Sequence, residues 1–339
     1  MSALTAVLLA GLGSSCTTTP AAPPRATACD ATTVADEVLP AVVTISATAP
    51  SGSSVTGSGE IIRPAGYVLT NNHVVSIAAS GGTVKVLLSD GLAHDAVITG
   101  RDPQTDLAVL KVSASSLPVI ALGSSGSVRI GEPVVALGAP LGLSNTVTSG
   151  IVSGLDRTVD VPSDNGQTAV LLSALQTDAA INPGNSGGAL TNCSGELIGV
   201  PTANATVTGA TGQTSTGNVG VNFAIPVDLA KAVADELIAT GSVTHSYMGV
   251  AVTQIPPGTA AQGETAAGLL VTGVVPNGPA AAAGLQPGDV ITEVDGAPAT
   301  DPNDLALLTL KKKPGESVAL TYVREVKTVE TTLTLGTPP

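Results

Sequence analysis

Aromatic side chains are almost missing from this chain. Its 339 residues include one Phe, three Tyr and no Trp. The core must be filled by Val, Ile, Leu, Ala and Thr, and β-branched aliphatics pack best on pleated strands. Basic residues are also few: 13 Lys and Arg stand against 26 Asp and Glu, a formal net charge of −13. That excludes nucleic acid as a partner, because phosphate binding needs clustered cations. No His-x-x-x-His or Cys-x-x-Cys spacing occurs, so no metal is expected, and no motif calls for a cofactor. Long apolar runs are lacking too. The segment 1–13 is apolar but only about a dozen residues long, too short for an ordinary membrane span and suited to a signal-peptide core.

What is present is a chain with 43% hydrophobic residues, enough for a full core, and room for two or three domains. Cys16 follows the apolar segment, and residues 17–28 are a Thr/Ala/Pro-rich tether. Two readings stand for Cys16. It is a lipid-anchored mature N-terminus, which would tether the protein to a membrane, or a leftover of a cleaved signal peptide. Gly13 stands where a lipobox usually carries Leu. Both readings export the chain, to the periplasm or cell envelope or beyond it.

Residues 30–39 predict a short helix, with Thr33 and Asp36 as a capping box and Pro40 as its stop. Short β-rich runs follow at 41–45, 59–62, 67–70, 84–88, 96–98, 106–112, 119–122, 133–138, 146–153, 169–177, 197–200 and 219–225. Residues 51–58 read as a Gly/Ser loop. Strands at this density, broken by Gly and Pro, indicate a pair of β-barrels or a sandwich. Residues 227–240 predict a helix with Leu229, Val233, Leu237 and Ile238 on one face. A second unit begins near Ser246, with strands at 249–253, 268–274, 290–294, 317–323 and 328–335. Helices are expected at 279–283 and from Pro302 through Leu310. About 90 residues of this pattern make a small α+β domain.

Within 176–188, Ser186 stands among Gly184, Gly187 and Gly188. Glycines allow close approach and unusual backbone angles around a reachable nucleophile. A serine hydroxyl needs a base, and the base needs an orienting acid. Of three histidines, His94 reads as a surface loop residue and His245 as part of the interdomain link. His73 ends an apolar strand, and Asp106 follows at the start of another. The order His73, Asp106, Ser186 is that of a chymotrypsin-type triad. Gly184-Asn185-Ser186-Gly187-Gly188 also fits the G-x-S-x-G elbow of α/β-hydrolases. That elbow requires a helix after the serine, whereas 189–200 reads as strand, turn, strand.

Thr70-Asn71-Asn72-His73-Val74-Val75, the run from Thr105 to Val112 and the run from Gln176 to Leu190 resemble the three catalytic motifs of the HtrA/Deg family of exported serine proteases. Residues 221–226 resemble its last barrel strand, with Asn222 where the family usually has Gly. Gly284-Leu285-Gln286-Pro287-Gly288-Asp289-Val290-Ile291 resembles a PDZ domain. After the signal or lipid-anchor candidate and tether of 1–28, the resemblance implies a mainly β fold: a chymotrypsin-like double-barrel protease domain over 29–240 and a small α+β PDZ domain over 241–339. It implies that the N–H groups of Gly184 and Ser186 form the oxyanion hole. Ala180 would stand where trypsin-like enzymes place a pocket-floor aspartate, with Ile181 and Val221 on the pocket wall, so small aliphatic P1 residues are expected. Arg157, in a segment like the family's sensor loop, would be regulatory; the plainer reading pairs it with Asp156 or Asp160. Tyr247-Met248-Gly249-Val250, with Ser246 before it, resembles a loop that binds a peptide carboxylate. A peptide would add beside 249–253, against the helix bearing Leu305 and Leu308.

The expected activity is an ATP-independent serine endopeptidase of protein quality control. It would act on unfolded polypeptides and be regulated by peptide C-termini at the PDZ domain. The alternative is a non-proteolytic chaperone or scaffold. The family's homotrimers, built on protease-domain aromatics, are an implied assembly that one Phe and three Tyr support poorly. In an exported protein thiols pair by default. Cys29 with Cys193 is the expected disulfide; Cys16 with Cys29, or separate thiols, are the alternatives.

Overall fold

The computed structural model describes residues 29–114, 116–138, 146–164, 168–204, 218–255 and 268–338. The apolar segment 1–13, Cys16 and the tether through 28 lie outside the described residues.

Helix α1 (Ala31–Val38) comes first. Its N-cap is Asp30, whose Oδ1 accepts from the N–H groups of Thr32 and Thr33. The expected Thr33–Asp36 box is therefore displaced by an acid one turn earlier, which satisfies the first orphan donors itself. Six antiparallel strands then close a barrel in the order β1-β2-β3-β6-β5-β4. They are β1 (Val42–Thr48), β2 (Ser54–Arg63), β3 (Tyr67–Asn71), β4 (Thr83–Leu87), β5 (Ala93–Asp102) and β6 (Leu107–Val112). β2 takes in part of the expected 51–58 loop, because Ser54 to Glu60 pairs residue for residue with β1. His94 lies on β5 opposite Val86, not in a loop.

A second closed barrel follows in the order β10-β11-β12-β9-β8-β7. It comprises β7 (Pro133–Gly138), β8 (Thr146–Pro162), β9 (Thr168–Thr177), β10 (Ala189–Thr191), β11 (Leu197–Asn204) and β12 (Asn222–Pro226). The strand expected at 119–122 does not form; only Leu122 makes a bridge, to Leu197. That segment is the crossover between barrels: Ile120 N–H donates to the Ile61 carbonyl on one side and the Ala121 carbonyl accepts from Leu197 N–H on the other, isolated bonds that do not extend into a ladder. Helix α3 (Val227–Thr240) caps the seam, burying Ala230, Val233, Ala234 and Leu237, and ends on Gly241 at φ +81°.

The shared core runs from α1 through both barrels to α3 and is aliphatic: Val34, Ile62, Leu69, Leu107, Leu137, Leu197, Ile225 and Leu237 are all buried. Phe223 and Tyr67 pack only at its margin. Burying such a side chain stabilises the fold by about 1.5–3 kcal/mol, so many aliphatics replace the few large aromatics. Cys29 and Cys193 are joined by a disulfide, which ties the start of α1 to the turn after β10.

The second unit is a sheet ordered β13-β14-β15-β17-β18, with β16 beside β15. Its strands are β13 (Val250–Ile255), β14 (Gly268–Val274), β15 (Val290–Val294), β16 (Ala297–Pro298), β17 (Ser317–Arg324) and β18 (Lys327–Thr334). Helices α4 (Pro279–Ala282) and α5 (Pro302–Lys311) complete it. Asp289, 1% exposed, accepts two hydrogen bonds from Arg324 and one from Gln286 N–H. That ion pair fixes the 284–291 motif. The unit docks on the protease barrels. His245 Nε2 lies 2.9 and 3.0 Å from the two Asp102 carboxylate oxygens, and Lys313 pairs with Glu236.

Candidate active site

His73 stands on α2 (Asn72–Val75), a single turn directly after β3. Asp106 directly precedes β6 and takes a left-handed φ of +55°. An aspartate tolerates that conformation better than most side chains but still needs support. Asn72 N–H and Asn71 Nδ2 supply it, both donating to the Asp106 carbonyl, at 3.0 and 2.9 Å. The bend aims the carboxylate back at α2. Oδ1 accepts from His73 N–H at 2.9 Å and Oδ2 lies 2.8 Å from His73 Nδ1. Asp106 is 1% exposed and the His73 side chain 33%. With Nδ1 donating to the acid, the neutral ring presents Nε2 as an acceptor.

Ser186 lies in the loop between β9 and β10. Gly187, at φ +79°, is obligatory there: a Cβ would meet Thr70 Oγ1 at 2.3 Å and the Ser58 carbonyl at 2.4 Å. The serine loop is thus pressed against β2 and β3 of the other barrel. Ser58 N–H donates to the Ser186 carbonyl at 2.9 Å, and Ser58 Oγ to the Gly184 carbonyl at 2.6 Å. Asn185 N–H closes a turn onto the Asn182 carbonyl at 2.9 Å. Pro183 in its second position and Gly184, φ +101°, in its third are the pattern of a type II turn. Among the described residues the N–H groups of Gly184 and Ser186 donate to no protein acceptor.

The structure brings His73 and Asp106 into contact and places Ser186 across the seam from them. Among the described residues no hydrogen bond joins Ser186 Oγ to His73; its hydroxyl points at the Thr202 carbonyl, 3.5 Å away. Contacts of this kind are often loose without substrate and tighten on its binding. Thr202 also sends its Oγ1 to Asp106 Oδ2 at 2.5 Å. The sequence reading missed this threonine, as it missed Ser58 and the role of Asn71. None carries a motif; each is defined by which barrel strands meet.

Ala180 and Val221 are half-buried beside this loop, while Ile181, 2% exposed, packs into the second barrel's core with Leu190, Ile198 and Ala224. Arg157 is exposed on β8, and its Nε donates to Gln176 Oε1 at 2.9 Å. The expected ion pair with Asp156 or Asp160 is not made among the described residues. Arg157 faces β9, opposite Ala174, rather than its chain neighbours.

In the second unit Tyr247 pairs with Gly336 through both main-chain hydrogen bonds. Met248 is buried, and its carbonyl accepts from Ala280 N–H at 2.8 Å. Gly249 turns at φ +72° into Val250, which opens β13. β13 is an edge strand of its sheet. Leu305 is core, and Leu308 packs partly exposed against it.

Comparison with known proteins was consistent over both units. Residues 57–200 match a trypsin-like peptidase domain and residues 246–335 a PDZ domain. Serine protease PepD of Mycobacterium tuberculosis is 43% identical over 296 residues, covering 85% of this chain and 62% of that protein. A probable periplasmic serine endoprotease, DegP-like, of Brucella suis is 43% identical over 288 residues, covering 84% of this chain and 53% of that one. The chain thus spans somewhat over half the length of these relatives. Among solved structures, the HtrA-type protease AlgW with a tripeptide superposes with a TM-score of 0.75 at 38% identity, over 91% of this chain and 98% of that one. The same protease with a decapeptide gives 0.73 at 34% identity, over 91% and 99%.

Proposed function

The chain belongs to the HtrA-type serine protease family, and from that premise we propose that it is an exported, ATP-independent serine endopeptidase of unfolded polypeptides, regulated through its PDZ domain. The observation that carries this is the His73–Asp106 pair, tied through Thr202 to Ser186 in a glycine-rich loop: Thr202 Oγ1 donates to Asp106 and its carbonyl lies in front of the Ser186 hydroxyl. Ser186 Oγ attacks the peptide carbonyl. His73 Nε2 takes the proton and returns it to the leaving amine, while Asp106 holds the ring and stabilises the imidazolium. The developing oxyanion is met by the N–H groups of Gly184 and Ser186, each such donor contributing about 3 kcal/mol to the transition state. Ala180 offers no anion to a basic P1 side chain, so short aliphatic residues are preferred. Such residues become exposed when a chain unfolds. A peptide C-terminus adds as a strand along the open edge of β13, its carboxylate on the N–H groups of the turn at Met248 and Gly249, since that of Tyr247 is bonded to the Gly336 carbonyl. The Cys29–Cys193 disulfide supports an oxidising compartment.

Ser186 Oγ pointing at Thr202 favours the second reading, a scaffold without catalysis. One variant separates the two. Ser186→Ala is expected to lower casein cleavage by about 10⁶-fold, with an unchanged circular dichroism spectrum. Parental protein inert on casein, or a variant still cleaving at the parental rate, overturns the peptidase reading.

A further inference from the structure

Three consecutive main-chain carbonyls ahead of the serine loop are each held by a side chain. Asn222 Nδ2 donates to the Ala179 carbonyl at 2.9 Å. Thr148 Oγ1 donates to that of Ala180 at 2.9 Å. Asn218 Nδ2 donates to that of Ile181 at 2.8 Å. The two asparagines also bond each other, Asn218 Nδ2 to Asn222 Oδ1 at 2.7 Å and Asn222 Nδ2 to Asn218 Oδ1 at 3.3 Å. Gly220 N–H donates to Asn218 Oδ1 at 2.8 Å, and Asn222 Nδ2 reaches the Thr177 carbonyl at 3.4 Å. Asn222 has no exposed surface.

A buried amide keeps its hydrogen bonds only if its partners stay in place, so such a network is stiff and costly to disturb. Here it grips the backbone on both sides of Ala180. Ala180 lies six residues before Ser186, at the floor position of the P1 pocket. Asn222 is fully buried and bonds the carbonyl of Ala179, so a smaller residue at 222 would remove both the tie to that backbone and the volume of a buried amide. Held in this way, the backbone around Ala180 resists yielding to a longer substrate side chain.

We propose that Asn222, braced by Asn218, determines P1 specificity, restricting the pocket to short aliphatic side chains and excluding Leu, Met and Phe. This rests on the peptidase reading above. The two asparagines are positioning residues, acting through the 179–181 backbone rather than touching the scissile bond. A merely structural tie between β12 and β9 would lower the amount of active enzyme for every substrate alike. A specificity role changes the ratio between substrates, which the fraction of folded enzyme does not affect.

The test uses the full chain with fluorogenic peptides that differ only at P1, as Ala, Val, Leu or Phe. Active sites are first titrated with a fluorophosphonate that labels the reactive serine. Asn222→Gly is expected to raise the ratio of kcat/KM for Leu over Val by about tenfold or more, the usual range for a pocket enlarged by a few heavy atoms. Asn218→Ala, at a half-buried position and leaving Asn222 with its bond to Ala179, is expected to shift the ratio the same way but less. If Asn222→Gly does not fold, Asn218→Ala decides alone. Labelled variants whose ratios stay within twofold of the parent overturn the specificity role and leave the peptidase reading standing. A parental protein that neither takes the label at Ser186 nor cleaves any of the peptides overturns both.

Discussion

Thr202 Oγ1 lies 2.5 Å from Asp106 Oδ2, the same oxygen that His73 Nδ1 approaches to 2.8 Å. The two donors share one acceptor, so the carboxylate cannot rotate away from the imidazole without losing the threonine. Thr202 is 6% exposed and belongs to the second barrel, whereas Asp106 belongs to the first. Thr202→Val keeps the shape and removes the donor. A hydrogen bond to a charged group contributes about 1.5–3 kcal/mol, so kcat on a peptide substrate is expected to fall about tenfold to a hundredfold with KM little changed. Thr202→Ser is expected to restore most of it. A valine variant with parental kcat removes Thr202 from the positioning apparatus.

Arg157 reaches Gln176, and Gln176 opens directly onto the segment 177–186 that ends in the nucleophile. We infer that this link carries activation from β8 to the serine loop. An exposed contact contributes little to stability, so Arg157→Ala should leave the melting temperature within a degree or two. Stimulation by a PDZ-binding peptide is expected to drop about fivefold or more, within the usual range of allosteric couplings. Equal stimulation in parent and variant eliminates the role.

Glu60 is fully buried on β2, and among the described residues neither carboxylate oxygen has a hydrogen-bond partner. Burial raises its acid well above the ordinary value of 4.5. The folded protein therefore holds a proton that the unfolded chain releases once pH exceeds that value. Stability falls as pH rises through that window and levels off above the folded value. The slope is about 1.4 kcal/mol per pH unit. Glu60→Gln removes the titration, so its stability advantage over the parent should widen from about pH 5 upward in urea melts. Parallel curves for the two proteins would falsify the assignment.

The Cys29–Cys193 disulfide spans 164 residues of chain. In the chain-entropy model a loop of this size stabilises by up to about 5 kcal/mol. Replacing both cysteines by serine should lower the urea midpoint of the protease unit by a corresponding amount, and non-reducing peptide maps should contain the linked pair. An alkylatable Cys193 in exported protein excludes the bridge.

Local patterns were legible from the residues alone. The scarcity of aromatics and the Gly- and Pro-punctuated runs of Val, Ile and Thr predicted β structure, as paired barrels or a sandwich; α3 appears at the predicted 227–240, and β14 and β15 at their predicted bounds. His73, Asp106 and Ser186 were picked out by their order along the chain, the glycines around the serine and the motifs in which they stand, since an aspartate among 26 acids is not distinctive alone. Short-range chemistry was less secure: Asp30 displaced the expected cap, and 119–122 makes only isolated main-chain bonds, to Ile61 and Leu197, in place of a strand. What only the tertiary structure decided are contacts between residues far apart in the chain. Thr202 meets Asp106 across 96 residues, Ser58 meets Gly184 across 126, and His245 meets Asp102 across 143. Thr, Ser and Asn are common polar residues with no periodicity of their own. Their partners are chosen by barrel register and by how the two barrels and the second unit dock, and those relations arise only when the buried aliphatic faces have closed on one another.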